Sequence, residues 1–410
     1  MEQVNKLFLQ AVKAALQGQP VQWPDDVRAQ QYAQMLELAQ NHHVLPMFFE
    51  ATYRSKAAAD IEPARLAYCR RTVLQSVTMQ SIQTQSFLEL NGYLREKGIR
   101  PLVVKGIVCR NLYPMPDHRY SGDEDLLCPP EKIKECHDAL LAYGMNPCSE
   151  NLDSYEVAYR KDDGTLYIEL HKSLFAGESD IFAGCNALFA GAFDRATEIT
   201  VEGQPILSLC PTDHLLYLIL HAFKHFLHSG FGIRQVCDMV LFANENGKDV
   251  DWDYLLEKCT NIRAAHFAAT LFAIGEKHLN FDPCKACYPE SWRNMALNEV
   301  SLLEDLLQGG VYGAANRDRL HSSNMTLNAV SADKKGKRSG GVLRAAFPSA
   351  KALENRFPYL KTKPFLLPWA WLCRFFGYAK ENSSGNGTAQ NAVKIGKERI
   401  ELLRKYNIID

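Results

Sequence analysis

Three acidic residues in a row, Asp123, Glu124 and Asp125, stand before two leucines in the segment HRYSGDEDLLCP. Side chains alternate along a strand, so Asp123 and Asp125 point to one face and Glu124 points to the other. Two carboxylates on one face repel each other, and a bound cation or a shared proton relieves that repulsion. Oxygen ligands without a nearby histidine or thiolate cluster favour Mg²⁺, so the pair predicts a magnesium site.

The same spacing occurs again in a different context. Asp251 and Asp253 in DVDWDYLLEKC directly precede a helical run, where they are explained as an N-cap and a first-turn acid. About one Asp-x-Asp is expected by chance in a chain of this length. Spacing alone therefore does not establish a metal pair, and the surrounding residues must decide.

A turn, a second polar strand and an arginine supply that context for the acidic run. IRPLVVKG followed by a helical run places Gly106 at a turn whose backbone N–H groups can hold a phosphate, and Lys105 can add a positive charge. In LYIELH, Glu169 and His171 share one strand face, and Glu169 becomes a third carboxylate if that strand pairs beside the acidic one. Arg119 lies close enough to reach a phosphate or to pair with an acid.

The elements that position these residues follow one another in four parts of the 410-residue chain. Residues 1–98 have a helical pattern, in which Pro63 opens a long helix and Gly98 closes it. Short apolar runs, a helix and a hairpin predict a small α+β unit. The helical pattern then returns, and two polar, glycine-rich loops and a last helix complete the chain. The predicted domain boundaries are 1–98, 99–205, 206–330 and 331–410.

Composition limits the classes of partner. With 46 basic and 47 acidic side chains, the net charge of -1 gives no broad field for nucleic acid. The aromatic segment FPYLKTKPFLLPWAWLCRFFGY is too short and too interrupted for a transmembrane span, so it either packs on the protein or contacts a membrane surface. Twelve scattered cysteines and an N-terminus without a secretion signal predict a cytoplasmic protein with reduced thiols.

Two helical segments after residue 206 carry further polar side chains. In HLLYLILHAFKHFLH four histidines lie near one helical face, and they either line a groove, are buried in the core or contact a substrate: His214, His221, His225 and His228. Arg234 and Asp238 lie one helical turn apart, which predicts an intrahelical ion pair or a role facing the site.

The sequence resembles the uncharacterised bacterial nucleotidyltransferase family of the DNA polymerase β superfamily in five features taken together. These are KG after a strand, LYP, an arginine, Asp-x-Asp-Leu-Leu and IELH. HAFKHFLHSGFGIRQVCDMVLF and FPYLKTKPFLLPWAWLCRF are similar to the family's later segments. The resemblance implies an α+β fold: a small mixed β-sheet nucleotidyltransferase core with N-terminal helices and a large C-terminal α-helical domain. It implies that Asp123, Asp125 and Glu169 bind the metal and act in catalysis, with Gly106 in the phosphate-holding turn.

The implied reaction is Mg²⁺-dependent transfer of a nucleoside monophosphate from an NTP to a hydroxyl of an unidentified acceptor, a small molecule or a protein. Lys105, Gly106, Arg119 and His171 are the expected nucleotide contacts, and His171 is otherwise a strand histidine beside a carboxylate. The sequence departs from the family pattern in having one glycine at the turn, a longer gap before the first aspartate, and an acid at position 124. These departures keep open a non-catalytic nucleotide-binding or scaffold protein with a degraded site.

The acid at position 124 needs a partner of its own. Glu124 faces away from the predicted metal site, and a buried carboxylate without a hydrogen-bonding partner would destabilise the strand. Arg110, Arg119 and Lys172 are the candidate partners, and the sequence does not choose among them.

Overall fold

The structure is a computed structural model. It describes residues 1–149, 151–152, 154–176, 182–228, 230–311, 317–334, 350–353, 357–373 and 389–410. Most of the two loops predicted after residue 330, positions 335–341 and 381–388, lies outside the described residues.

Helices form the first hundred residues, as the helical pattern predicts. They are α1 (Gln3–Leu16), α2 (Ala29–Asn41), α3 (Leu45–Thr52), α4 (Lys56–Ala59) and α5 (Pro63–Glu96). Pro63 is the first residue of α5, where its missing N–H costs no helical hydrogen bond. Gly98 follows the helix with a φ of 76°, a left-handed conformation that glycine adopts without strain. Both predicted ends of the long helix are confirmed.

A mixed β-sheet follows. Its strands are β1 (Leu102–Val104), β2 (Glu124–Leu127), β3 (Met145–Pro147), β4 (Glu156–Lys161), β5 (Tyr167–His171), β6 (Thr197–Val201) and β7 (Gln204–Ser208). Helices α6 (Gly106–Arg110) and α7 (Ile133–Ala142) connect them. The spatial order is β3-β4-β5-β2-β1-β7-β6. β2 runs parallel to β5 and antiparallel to β1, so the acidic strand lies in the centre of the sheet.

The chain after the sheet is helical. The described helices are α8 (Pro211–His228), α9 (Ile233–Asn246), α10 (Trp252–Asn261), α11 (Ala265–His278), α12 (Glu290–Met295), α13 (Glu299–Gly309), α14 (Arg317–Lys334), α15 (Ala350–Leu353) and α16 (Ala389–Lys405). Residues 331–334 close α14, although the sequence predicts a loop there. The predicted class, an α+β protein with a small mixed sheet and many flanking helices, is confirmed.

Two hydrophobic cores enclose the sheet. Val103, Leu126 and Leu170 point to a core shared with the C-terminal half of α5 and with α7. Val104 and Leu127 point to a larger core that joins the first helices to the helices after β7. Because side chains alternate along a strand, Asp125 lies on the second face, towards α8, and Glu124 lies on the first. The N-terminal and C-terminal helices thus share one core.

The predicted domain boundaries remain predictions. Strand β7 pairs with β1 and ends at Ser208, so the sheet extends beyond the predicted boundary at 205.

The aromatic segment packs only in part. In its described portion, 357–373, Leu360 and Ala370 are buried in a small cluster of their own, whereas Phe365 and Trp369 are 74% and 61% exposed. Residues 374–378 lie outside the described residues. Among the helices that the structure describes, none combines the length and apolarity needed to cross a bilayer.

The side chain of Glu124 joins β2 to α6. Its carboxylate is fully buried, and it accepts hydrogen bonds from the Ile107 N–H and from Arg110 Nη2, both at 2.7 Å. Of the three candidate partners, Arg110 is therefore the one that Glu124 meets. A Cβ on Gly106 would lie 1.9 Å from Glu124 Oε2, so this close approach of side chain to backbone requires glycine.

We predict that Gly106→Ala lowers the free energy of unfolding by about 1–3 kcal/mol, because the two hydrogen bonds prevent the Glu124 carboxylate from moving aside. Gly92→Ala is the matched control. Gly92 lies within α5, and an added Cβ meets no atom within 4 Å. Alanine there should stabilise by roughly 0.5–1 kcal/mol. Urea unfolding measures both, and equal effects of the two substitutions would contradict the close packing at Gly106.

Candidate functional site

Asp125 and Glu169 face each other across neighbouring strands. In the parallel pairing of β2 with β5, Asp125 is the register partner of Glu169, and on the other side Val104 of β1 is its partner. The side chains of register partners point to the same face, so the two carboxylates share the face that α8 covers. The pairing of the acidic strand with LYIELH, on which the sequence argument depends, is present.

His171 lies next to both carboxylates. Its Nε2 donates to Asp125 Oδ1 at 3.3 Å and lies 3.6 Å from Glu169 Oε2. Its Nδ1 lies 3.7 Å from an oxygen of Glu156, the residue opposite His171 on β4. Sequence reasoning missed Glu156, because only the register of the β4–β5 hairpin brings that residue to the site.

Ligand atoms of Asp125, Glu169 and His171 all lie within 4.8 Å of one another, which is close enough to share one metal ion. Asp123 is not a member of this group. It precedes the first residue of β2 and is partly buried. The structure therefore brings together two of the three predicted carboxylates at this spacing.

Lys105 supplies the positive charge closest to the acids. Its Nζ lies 2.8 Å from Asp125 Oδ2, and both side chains are buried. The backbone of Lys105 has a φ of 58°, which residues other than glycine rarely adopt. The Lys105 N–H donates to His214 Nε2 at 3.1 Å. Lys105 is thus held at the turn by its backbone while its ammonium group meets Asp125.

The tautomer of His214 follows from its two neighbours. Because Nε2 accepts the Lys105 N–H, the proton is on Nδ1, which lies 3.2 Å from Ser208 Oγ, and that hydroxyl donates to the Val103 carbonyl. Burial lowers the pKa of His214 to about 3, so the imidazole is neutral at pH 7. His214 is therefore a positioning residue for the turn.

The charges at the site influence one another strongly. Burial alone would raise the pKa of Asp125, but Lys105 and His171 outweigh burial and hold it below its usual range. Lys105 lowers the pKa of Asp123, but burial together with the charges of Asp125 and Glu169 prevails and raises it. Burial alone would lower the pKa of His171, and hydrogen bonds to Asp125 and Glu169 raise it to about 9. His171 is therefore an imidazolium at pH 7.

Arg119 lies in a buried network instead of facing the carboxylates. Its Nη2 and Nε donate to the two oxygens of Asp238 at 2.7 and 3.1 Å, and its Nη1 donates to Ser121 Oγ at 3.0 Å. Tyr113 Oη donates to the same Asp238 carboxylate at 2.8 Å. Each nitrogen of the guanidinium has a partner within the protein, so the structure gives no support to the predicted contact of Arg119 with a nucleotide.

The predicted ion pair within α9 is replaced by this longer-range pair. Asp238 binds Arg119, and Arg234 donates through Nη1 to the Tyr120 carbonyl. Burial alone would raise the pKa of Asp238, but Arg119 outweighs it and the pKa lies below its usual range. A helical spacing of four residues suggested the local pair, and no pattern in the sequence signalled the distant one.

The residues at the site fit a hard divalent cation. Two carboxylates on one face match the coordination of Mg²⁺, which commonly takes one or two protein carboxylates and completes its shell with water and phosphate oxygens. His171 fits less well as a magnesium ligand, because Mg²⁺ prefers oxygen to imidazole nitrogen. The structure brings Asp125 and Glu169 within reach of one ion, and the magnesium ligation of Asp123, Asp125 and Glu169 remains a prediction.

The chain belongs to a family of proteins described as uncharacterised nucleotidyltransferases, whose pattern matches residues 29–280. The match includes α2 to α11, and therefore the whole sheet, the two facing carboxylates and the helices α8 and α9.

Other comparisons add little. No curated protein matches the chain. One solved structure, an antigenic nucleotidyltransferase-like protein from Paracoccidioides brasiliensis, is 15% identical over 50% of this chain and 95% of that chain, with a TM-score of 0.29. A TM-score of this size supports neither a shared fold nor a shared activity.

We predict that Asp238→Asn lowers the free energy of unfolding by about 3 kcal/mol or more, because it leaves the buried Arg119 without a counter-charge. Glu245→Gln on the same helix is the matched control. The Glu245 side chain is 61% exposed in its pair with Lys285, so the loss should stay below about 1 kcal/mol. Chemical denaturation measures both variants, and a loss for Asp238→Asn no larger than that of the control would contradict the role of the buried pair.

Proposed function

We propose that this protein transfers a nucleoside monophosphate from an NTP to a hydroxyl group of an acceptor, with Mg²⁺ as the cation. The observation that carries the proposal is the register of β2 with β5, which sets Asp125 against Glu169 in a central, half-enclosed position. Membership of the nucleotidyltransferase family supports it. Nucleotidyl transfer needs little covalent chemistry from the protein, and acids that hold a cation beside phosphate are its main requirement.

Each group at the site has a proposed role. Asp125 and Glu169 hold the cation, and Asp123, just before the strand, is the third carboxylate that the family resemblance implies. Bound Mg²⁺ would neutralise charge on the phosphate oxygens. Lys105 limits repulsion between the acids, and His171 keeps Asp125 and Glu169 oriented through its hydrogen bonds.

Glu169 is the proposed proton acceptor. Its side chain is 26% exposed, whereas that of Asp125 is 3% exposed, so an incoming hydroxyl group reaches Glu169 more easily. The hydroxyl oxygen forms a bond to the α-phosphorus and gives its proton to Glu169. The bond from that phosphorus to the bridging oxygen of the β-phosphate breaks, and pyrophosphate leaves with the electron pair.

We also infer from the resemblance that the core belongs with the DNA polymerase β superfamily, and from the scattered cysteines and the N-terminal sequence that the protein acts in the cytoplasm. We also propose that the chain divides into four parts at residues 98, 205 and 330. Strands β1 to β6 and the two carboxylates lie in the second part, β7 crosses the boundary at 205, and α8 and α9 lie in the third.

The alternative, a nucleotide-binding protein without catalysis, is favoured by one observation. Glu124 accepts the Ile107 N–H, so one backbone N–H beside Gly106, in the turn predicted to hold a phosphate, already has a protein partner. A site that binds a nucleotide but lacks this contact would hold the triphosphate less firmly. The two functions differ in whether any molecule becomes covalently labelled.

The test is incubation of the pure protein with α-³²P-labelled NTPs, Mg²⁺ and a cell extract. We predict a labelled acceptor with the wild type and a loss of about a hundredfold or more for Asp125→Asn and for Glu169→Gln, since each removes a charge that holds the cation. Asp253→Asn is the matched control, because it belongs to the other Asp-x-Asp pair, where Asp251 caps α10. That variant should retain full labelling.

Two results would count against the proposal. Labelling that survives both site substitutions would show that the acids on β2 and β5 do not act. Tight NTP binding without label in any fraction of the extract would favour the non-catalytic alternative.

A further inference from the structure

The turn between β1 and α6 is already engaged by groups of the protein. The Lys105 N–H donates to His214, and the Ile107 N–H donates to the buried Glu124 carboxylate. A phosphate placed at this turn would meet a second negative charge in a region screened from water, where like charges repel strongly. If the proposed function holds, the triphosphate therefore needs other contacts.

Helix α8 presents two histidines on the side of the sheet that carries the acids. His221 and His225 lie one helical turn apart, with 3.2 Å between their Nε2 atoms. The His221 ring lies 5.8 Å from the ring of Tyr217, centroid to centroid. His214, two turns before His221 on α8, accepts the N–H of Lys105, whose Nζ contacts Asp125, so this helix is anchored beside the acidic strand. His221 and His225 thus lie further along the helix whose first half contacts the turn beside Asp125.

Helix α9 contributes a buried arginine with few partners. Arg234 is 7% exposed, and its Nη1 donates to the Tyr120 carbonyl. Its Nε is buried without an acceptor among the described residues, and no carboxylate there forms an ion pair with it. The buried Arg110 and Arg119 differ, since each binds a carboxylate at 2.7 Å. The charges of Asp123 and Asp238 act on Arg234 without a direct ion pair, so an arriving anion could still bind the guanidinium and satisfy its buried Nε.

The backbone ties Arg234 to the acidic strand. Its partner Tyr120 precedes Ser121, whose hydroxyl donates to the Asp123 carbonyl at 2.9 Å. The guanidinium is therefore anchored a few residues along the chain from the candidate metal ligands. The pKa of Asp123 is lowered most by the charge of Lys105, and the charge of Arg234 lowers it further.

The surroundings of the histidines are electropositive. Burial lowers the pKa of His225 to about 3, and the charges of Lys224, Lys105 and Arg234 contribute in the same direction. Burial and then Lys105 hold the pKa of His221 well below its usual value. The neutral histidine pair therefore lies in a field that attracts anions.

We propose that Arg234, His221 and His225 form the contact surface for the triphosphate of the nucleotide, across from Asp125 and Glu169. This deepens the proposed function and rests on it. A guanidinium matches the oxygens of a phosphate with paired N–H groups, and the histidine pair adds one imidazole N–H, because its other N–H is used between the two rings. The phosphates then lie between the carboxylates of the sheet and the side chains of α8 and α9.

The test uses isothermal titration calorimetry of the full chain with Mg²⁺ and inorganic tripolyphosphate, and then with each NTP. We predict that Arg234→Gln and His225→Asn each weaken binding about tenfold or more, the loss expected for a hydrogen bond to a charged group. His228→Asn, on the exposed end of the same helix, is the matched control and should bind as the wild type does. Mn²⁺ binding, followed by electron paramagnetic resonance without phosphate, should remain unchanged in these variants.

The same experiment separates failure of this inference from failure of the proposed function. If binding of NTP requires Asp125 and Glu169 but is unchanged in Arg234→Gln and His225→Asn, the phosphate surface is wrong and the proposed function stands. If tripolyphosphate binding is lost in those variants while the wild type labels no acceptor, the surface stands and catalysis fails. If the wild type binds neither tripolyphosphate nor NTP, both are wrong.

A folding defect in one variant would not leave the question open. Arg234 is buried, and should Arg234→Gln fail to fold, His225→Asn decides, since the His225 side chain is only partly buried. A merely structural role of Arg234 would lower the unfolding temperature of the ligand-free protein. A phosphate-binding role predicts that this temperature is retained while the stabilisation by tripolyphosphate is lost.

Discussion

The parallel pairing of β2 with β5 in a single register determines where every other group of the site lies. It sets Asp125 opposite Glu169 on the face towards α8. A slip of one residue would turn the acids of β2 to the opposite face and would move Leu126 out of its core. Leu126 and Leu170 lie in the core formed with α5 and α7, so the free energy of burying leucines also maintains the position of the carboxylates.

Carboxylates brought together in this way destabilise the fold unless positive charge is near. Lys105 and His171 supply it, the first from a turn and the second from β5 itself. The Lys105 turn has a left-handed backbone conformation, which costs on the order of 1 kcal/mol for a residue other than glycine. The hydrogen bond from its N–H to His214 helps to stabilise that conformation. Strain at the turn is thus coupled to the charge balance of the site.

The sequence predicted what depends on local pattern. Apolar runs and turn residues gave the long α5, the acidic strand and the β4–β5 hairpin. Strands β3, β6 and β7 were missed, and β7 pairs with β1, a strand about a hundred residues away. Spacing along a helix suggested that Arg234 binds Asp238, whereas the fold brings Arg119 to that acid across 119 residues. Glu124 was known to need a partner, and only the packing of α6 chose Arg110.

The central claim is that the register of two strands creates a cation site, and the location of a bound metal tests it most directly. Crystals grown with Mn²⁺ and an NTP analogue that cannot be cleaved between the α- and β-phosphates allow the metal to be located by anomalous scattering. We predict a Mn²⁺ peak at coordination distance from carboxylate oxygens of both Asp125 and Glu169. A metal bound elsewhere, with the Lys105 ammonium still against Asp125 and no peak between the two strands, would contradict it.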